Sequence, residues 1–319
     1  MIELLEGALV CGTLIGVIIW ALVAVAGPHV SPTRVAPARR SATARAWLYA
    51  PIWIPIFVIG STLAPGAIGA LAQVGEACLT HGNAGHHHLC TVHAPHAAGW
   101  IIAFGLLAPA TIVTLVTAVR TRQEWRLVKT LNALSRPSSF GPDVRLLDRP
   151  EPVAMTLGWR TPTILLSSGL VENIPAASVR VVIAHERAHV VRRDTWFSIF
   201  DRFAATLLPR HAAQALTGQI LLAREQACDA AAARVGGGEE AVATALTDIL
   251  KLGAPVLHHE NCASSEPLRS RIDHLLNPPE EPRFGRFTPA VALAIGMLVG
   301  AGPVHLVVER FVSVFLHQQ

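Results

Sequence analysis

Four stretches of this chain, residues 4–26, 47–74, 98–119 and 290–308, are apolar over about the 20 residues a helix needs to cross a bilayer. A single run of this kind can be a buried core helix, but four in one chain point to a multi-pass membrane protein. The composition agrees, at 51% hydrophobic and 15% charged with a mean hydropathy of +0.43, too apolar for an ordinary soluble domain. The second run contains Pro51, Pro55 and Pro65 and is longer than a straight crossing needs, so a kink or tilt is expected there. The leading residues 1–6 carry Glu3 and Glu6 rather than a basic segment, so the first run is expected to be a retained anchor rather than a cleaved signal.

Basic residues set the expected orientation. Arg34, Arg39, Arg40 and Arg45 lie between the first two runs, and Arg120, Arg122, Arg126 and Lys129 follow the third. The segment 75–97 has neither lysine nor arginine. The positive-inside bias then places residues 27–46 and 120–287 in the cytoplasm, and puts both termini and residues 75–97 outside. Trp47, Tyr49 and Trp100 fall near the run boundaries, where amphipathic rings are favoured. Cytoplasmic arginines beside anionic lipid account for the net charge of +4, and no pattern for direct nucleic-acid binding stands out.

The cytoplasmic segment carries the chemistry. His185-Glu186-Arg187-Ala188-His189 is an H-E-x-x-H pattern inside an apolar run, residues 179–191, that reads as one helix. Histidines four apart share a helical face, so both imidazoles can reach one metal ion. Glu186 is then close enough to act as base on water at that ion. Downstream, Glu225 and Asp229 lie one turn apart on an alanine-rich helical stretch that ends at Gly236-Gly237-Gly238. Their spacing also marks an ordinary charged helix face; the upstream motif selects the ligand reading. Glu225 would complete a His, His, Glu site for Zn2+, and Asp229 would hydrogen-bond a ligand histidine. Before this helical part, residues 144–147, 153–157 and 163–166 read as short strands, and residues 136–142 as a linker.

These residues resemble the membrane-bound gluzincins of peptidase family M56, relatives of the β-lactam-sensing signal transducers. The resemblance runs through Pro162-Thr163-Ile164-Leu165-Leu166-Ser167-Ser168-Gly169-Leu170, the H-E-x-x-H segment, Arg192-Arg193-Asp194, Glu225-Gln226-Ala227-Cys228-Asp229 and a closing segment at 268–276. It implies that His185, His189 and Glu225 bind zinc and that Glu186 is the general base. It also implies regulated cleavage of a cytoplasmic protein, a transcriptional repressor or the chain itself. The sequence stops at Gln319 without the penicillin-binding domain of the β-lactam sensors, so sensing of β-lactams by this chain is not expected.

The outer segment holds a second concentration of ligand-type residues, Cys78, His81, His86, His87, His88, Cys90, His93 and His96. Thiolates and imidazoles in this arrangement suit zinc or copper. A Cys78–Cys90 disulfide with solvated histidines around it fits equally. Cys228, between the two site carboxylates, reads as a packing residue.

The expected architecture is therefore a multi-pass α-helical membrane protein with four spans and a cytoplasmic α+β zincin (gluzincin) domain. Its parts are residues 1–119, 120–287 and 288–319, and its partners are the lipid bilayer and a protein substrate. Two rival readings remain at this point: a housekeeping membrane metalloprotease of the CAAX or heat-shock type, and a non-catalytic metal-binding receptor. Glu186 argues against the receptor, because binding zinc needs no base there.

Overall fold

The computed structural model describes residues 2–30, 36–72, 97–253 and 266–277. The segment with Cys78 and Cys90, expected outside, and the fourth apolar run, 290–308, lie outside the described residues. The chain divides into two compact units, one of Met1–Pro28, Ala46–Val113 and Arg283–Gln319, the other of His29–Arg45 and Thr114–Pro282.

The first unit is helical among its described residues. Helix α1 covers Ile2–Ala26, α2 covers Pro37–Ala72 without a break in assignment at its prolines, and α3 begins at Ala97 and runs to Leu134. The segments Gly12–His29 and Pro37–Gly60 are long and apolar enough to cross a membrane, with mean hydropathies of 1.8 and 1.4. Leu14, Val17, Ile18, Leu22 and Val25 are exposed along α1, as lipid-facing side chains would be. Gly12 and Gly16 stand one turn apart facing Pro55 and Ile59 of α2; a Cβ on Gly12 would come 2.6 Å from Ile59 Cγ1. Small residues at such spacing let helices approach closely.

The second unit opens with a four-stranded sheet in the order β1-β2-β4-β3: β1 is Arg136–Ser138, β2 Gly141–Leu147, β3 Ala154–Leu157 and β4 Thr163–Ser167. β2 and β4 are parallel, while β1 and β3 run antiparallel to their neighbours. The stretch expected to be a linker instead supplies β1. Pro137 is tolerated because β1 is an edge strand, where a missing N–H breaks no inner ladder. A short helix α4, Ser168–Asn173, follows β4 and is capped by the Ser167 hydroxyl, which accepts from the Leu170 N–H at 3.1 Å. Gly169 is required there, since a Cβ would sit 1.8 Å from the Pro150 carbonyl oxygen.

Helix α5, Ala176–Arg192, is the central element. Val179, Val182 and Ile183 fall at helical spacing and pack with Val144, Ile164, Leu166 and Leu170 against the sheet side. Val181 faces away into a second cluster with Ala232, Ala233, Val242, Ala245 and Leu246. Those partners lie on α7, Arg210–Gly236, and α8, Glu239–Lys251. Between α5 and α7 comes α6, Asp194–Thr206, and α9, Glu266–Leu276, closes the described part. Each fully buried valine, leucine or isoleucine side chain contributes about 1.5–3 kcal/mol, so the two clusters hold α5 from both sides.

Candidate active site

The two faces of α5 place its polar residues. Glu186 lies one turn beyond Val182 and Ile183, on the stripe facing the sheet, and His185 lies one turn beyond Val181, on the stripe facing α7. The Glu186 carboxylate consequently meets β3, where the Thr156 hydroxyl lies 2.7 Å from Glu186 Oε2 and 3.1 Å from its backbone carbonyl. His185 and His189 meet α7 and Glu225. Small residues on that helix, Ala223, Cys228 and Ala232, let it approach α5 closely.

Two imidazole nitrogens and one carboxylate converge there. His185 Nε2 and His189 Nε2 are 3.2 Å apart; Glu225 Oε2 lies 3.4 Å from the first and Glu225 Oε1 3.5 Å from the second. Ligand atoms about 2.0–2.1 Å from a zinc ion at tetrahedral angles stand about 3.3–3.4 Å from one another; the imidazole pair matches that spacing, and a Glu225 oxygen faces each ring at close to it. Each imidazole presents its other nitrogen to a carboxylate: His185 Nδ1 is 2.9 Å from Asp229, and His189 Nδ1 is 2.9 Å from Asp194. Such contacts fix the tautomer and ring orientation that a metal ligand needs.

Arg271 of α9 ties the carboxylates together. Its Nε and Nη2 each donate to Asp229 at 2.7 Å, and its Nη1 lies 3.2 Å from Glu225. Burial alone would raise both acids, but the Arg271 guanidinium and the His185 imidazole hold Glu225 and Asp229 well below the usual carboxylate range. Burial alone would lower His185, but Asp229 and Glu225 push it up to about 10. Asp194 is likewise held low despite its burial, by His189 with Arg224 and Arg192 near.

Asp194 reaches His189 because of Arg193. That residue ends α5 in the left-handed region, φ 55°, and its N–H bonds back to the carbonyls of His189 and Val190. The chain turns at this point, and Asp194, five residues after His189, folds back onto the ring. Cys228 is buried in the same corner, its Sγ 3.3 Å from His189 Nδ1 and 3.7 Å from Asp194 Oδ2. Burial, with Asp194 and Glu225 nearby, pushes its thiol far up, so it behaves as a neutral packing group.

A cavity of about 140 Å³ opens beside the convergent atoms. His185, Glu186, Glu225 and Arg271 line one part, Leu170, Val182, Leu246 and Ile249 the apolar wall, and Val153, Ala154 and Met155 the edge at β3.

The structure thus brings together all five residues singled out in the sequence for this site: His185, Glu186, His189, Glu225 and Asp229. Sequence reasoning assigned no role to Thr156, Asp194 or Arg271. Asp194 stood in a motif quoted for the family resemblance, and Arg271 in its closing segment, but a side chain 42 residues from its partner carries no spacing signal. Nothing in the sequence marked Thr156.

Two histidines and a carboxylate converging at zinc spacing, with a glutamate held beside them, define a zinc metallopeptidase domain. The comparisons agree on this class. A model of Peptidase family M48 matches residues 121–278, just under half of the chain. Protease HtpX of Ectopseudomonas mendocina (strain ymp) is 35% identical over 88 residues, 27% of this chain and 30% of that protein. Protease HtpX of Pseudomonas entomophila (strain L48) is 36% identical over 83 residues, 25% of this chain and 28% of that protein. The matched part spans about three tenths of the length of these relatives. The family matched is M48, not the M56 that the motifs resemble.

Proposed function

We propose that this chain is a membrane-bound zinc endopeptidase of the housekeeping, HtpX-like kind, with its active site facing the cytoplasm. The match to M48 and to HtpX proteases favours this over repressor cleavage in signal transduction. The observation that carries the reading is the convergence of His185, His189 and Glu225 within 3.2–3.5 Å of one another beside Glu186. In this reading those three residues hold zinc, which supplies Lewis acidity to activate water and polarise a peptide carbonyl. Glu186 takes the proton from the attacking water and returns it to the leaving amine. Thr156 holds the Glu186 carboxylate at the cavity, while Asp229 and Asp194 orient the two imidazoles.

The sheet supports a reading of the substrate class. β3 is an edge strand, and Val153, Ala154 and Met155 line the cavity. An extended peptide can add to that edge through main-chain hydrogen bonds, which favours an unfolded segment over a folded domain. The apolar wall then favours an aliphatic or aromatic side chain at the cleavage point. The membrane layout belongs to the same proposal: four spans, both termini outside, and residues 120–287 inside, supported by the arginine distribution.

Zinc content tests the ligand set. Purified protein is expected to carry about one zinc per chain, Glu225→Ala to lose most of it, and Glu186→Ala to keep it. Full zinc retention by Glu225→Ala would overturn the assignment.

A further inference from the structure

Helix α6 buries its two acids and exposes its rings. Trp196, Phe197 and Phe200 are 38%, 40% and 45% exposed, and Trp159 of the β3–β4 turn stacks 5.1 Å from Trp196. Trp196 and Phe200 are themselves 5.3 Å apart, so the rings form one continuous apolar face. Arg160, 5.4 Å over the Trp159 ring, and Arg193 at the start of α6 are exposed, exposed Glu124 is paired with Arg202, and Asp194 and Asp201 of α6 are buried and paired.

Two ion pairs tie α6 to the charged parts of α2 and α3. Arg45 of α2 binds Asp201 at 3.1 Å, and its guanidinium lies 4.8 Å over the Phe197 ring. Arg45 is the last charged residue of α2, two residues before Trp47 in its uncharged stretch, about 3 Å along the helix axis. On the other side, Arg202 binds Glu124 of α3 at 2.7 Å. Glu124 is five residues past Val119, where the apolar run of α3 ends, about 7–8 Å along that helix. A headgroup layer is about 5–8 Å thick, comparable with the length of helix between each tie and the apolar run of its own helix.

We propose that α6, with Trp159 beside it, is an interfacial helix whose aromatic face enters the headgroup layer of an anionic phospholipid bilayer. Amphipathic rings are favoured at that level, and a basic rim complements acidic lipid. α6 begins at Asp194, the residue that holds His189, so lipid contact bears on the part of the chain that orients a candidate zinc ligand. This rests on the membrane reading above, not on catalysis.

The test uses the full chain in nanodiscs containing phosphatidylglycerol. Phe200→Cys is labelled with a nitroxide after Cys11, Cys78, Cys90 and Cys262 are changed to serine; buried Cys228 stays. A label at Leu250→Cys on α8, also at an exposed position, is the comparison. The expected result is a several-fold higher ratio of oxygen to nickel-chelate collisions at position 200 than at position 250. Equal ratios at both positions would overturn the proposal. So would low collision with both reagents, which places protein on the face, or spin–spin broadening, which places a second copy there. Should the labelled variant misfold, brominated anionic lipid must quench the native chain more than Trp196→Phe; equal quenching overturns the proposal as well. An inactive protein with a lipid-shielded label would leave this inference standing and count against the function alone.

Discussion

His185 carries opposite demands. Burial would lower its pKa, but Asp229 and Glu225 push it up to about 10, above the ordinary 6.5. A group raised on folding contributes stability that is whole below about pH 6.5 and is lost as pH rises through about 10. Zinc needs this same imidazole neutral. Between those limits, zinc uptake by the zinc-free protein is therefore expected to expel about one proton per ion from His185, and zinc affinity to rise with pH. Glu225 and Asp229 are already ionised there, being held low, so they release none. Calorimetry in buffers of different ionisation enthalpy reads the proton count, and zinc binding without proton release near pH 7 would contradict this account of the site.

At the level of elements, the two-sided burial of α5 decides which way each motif residue faces, and α9 locks the result through one side chain. Arg271 is 2% exposed, with Asp229 and Glu225 as its partners. Arg271→Met leaves two buried carboxylates short of their cation, which costs about 3–5 kcal/mol. A clear fall in Tm is expected, with zinc affinity about 10–100-fold weaker; a wild-type Tm would mean that α9 is held by other contacts. The same elements show what the sequence makes legible. Strands bounded by proline and glycine, the apolar run of α5 and the Gly236-Gly237-Gly238 stop are local patterns, and the elements fall close to where those patterns put them. β1 was hidden because Pro137 and the following glycine read as a linker, whereas edge pairing tolerates both. Thr156 and Arg271 were hidden for another reason: their roles depend on tertiary approach across 30 and 42 residues of chain.

For the whole molecule, the arginine asymmetry and the peptidase domain give one testable map. External thiol reagents on intact cells are expected to label Cys78 and Cys90 after reduction and to leave Cys262 unlabelled. Labelling of Cys262 from outside would invert the proposed orientation. The domain's chemistry is a separate matter, since a metal site can stand without a reaction. Glu186 separates the two, because its carboxylate is held by Thr156 rather than placed among the three convergent residues His185, His189 and Glu225. The most direct measurement is therefore the cleavage rate of an unfolded protein substrate by zinc-loaded wild type and by Glu186→Gln at equal zinc content. The account predicts cleavage by wild type and a rate lower by about 10²–10⁴ in the variant, the loss of a general base. Equal rates in the two proteins, or no cleavage by zinc-loaded wild type, would contradict it.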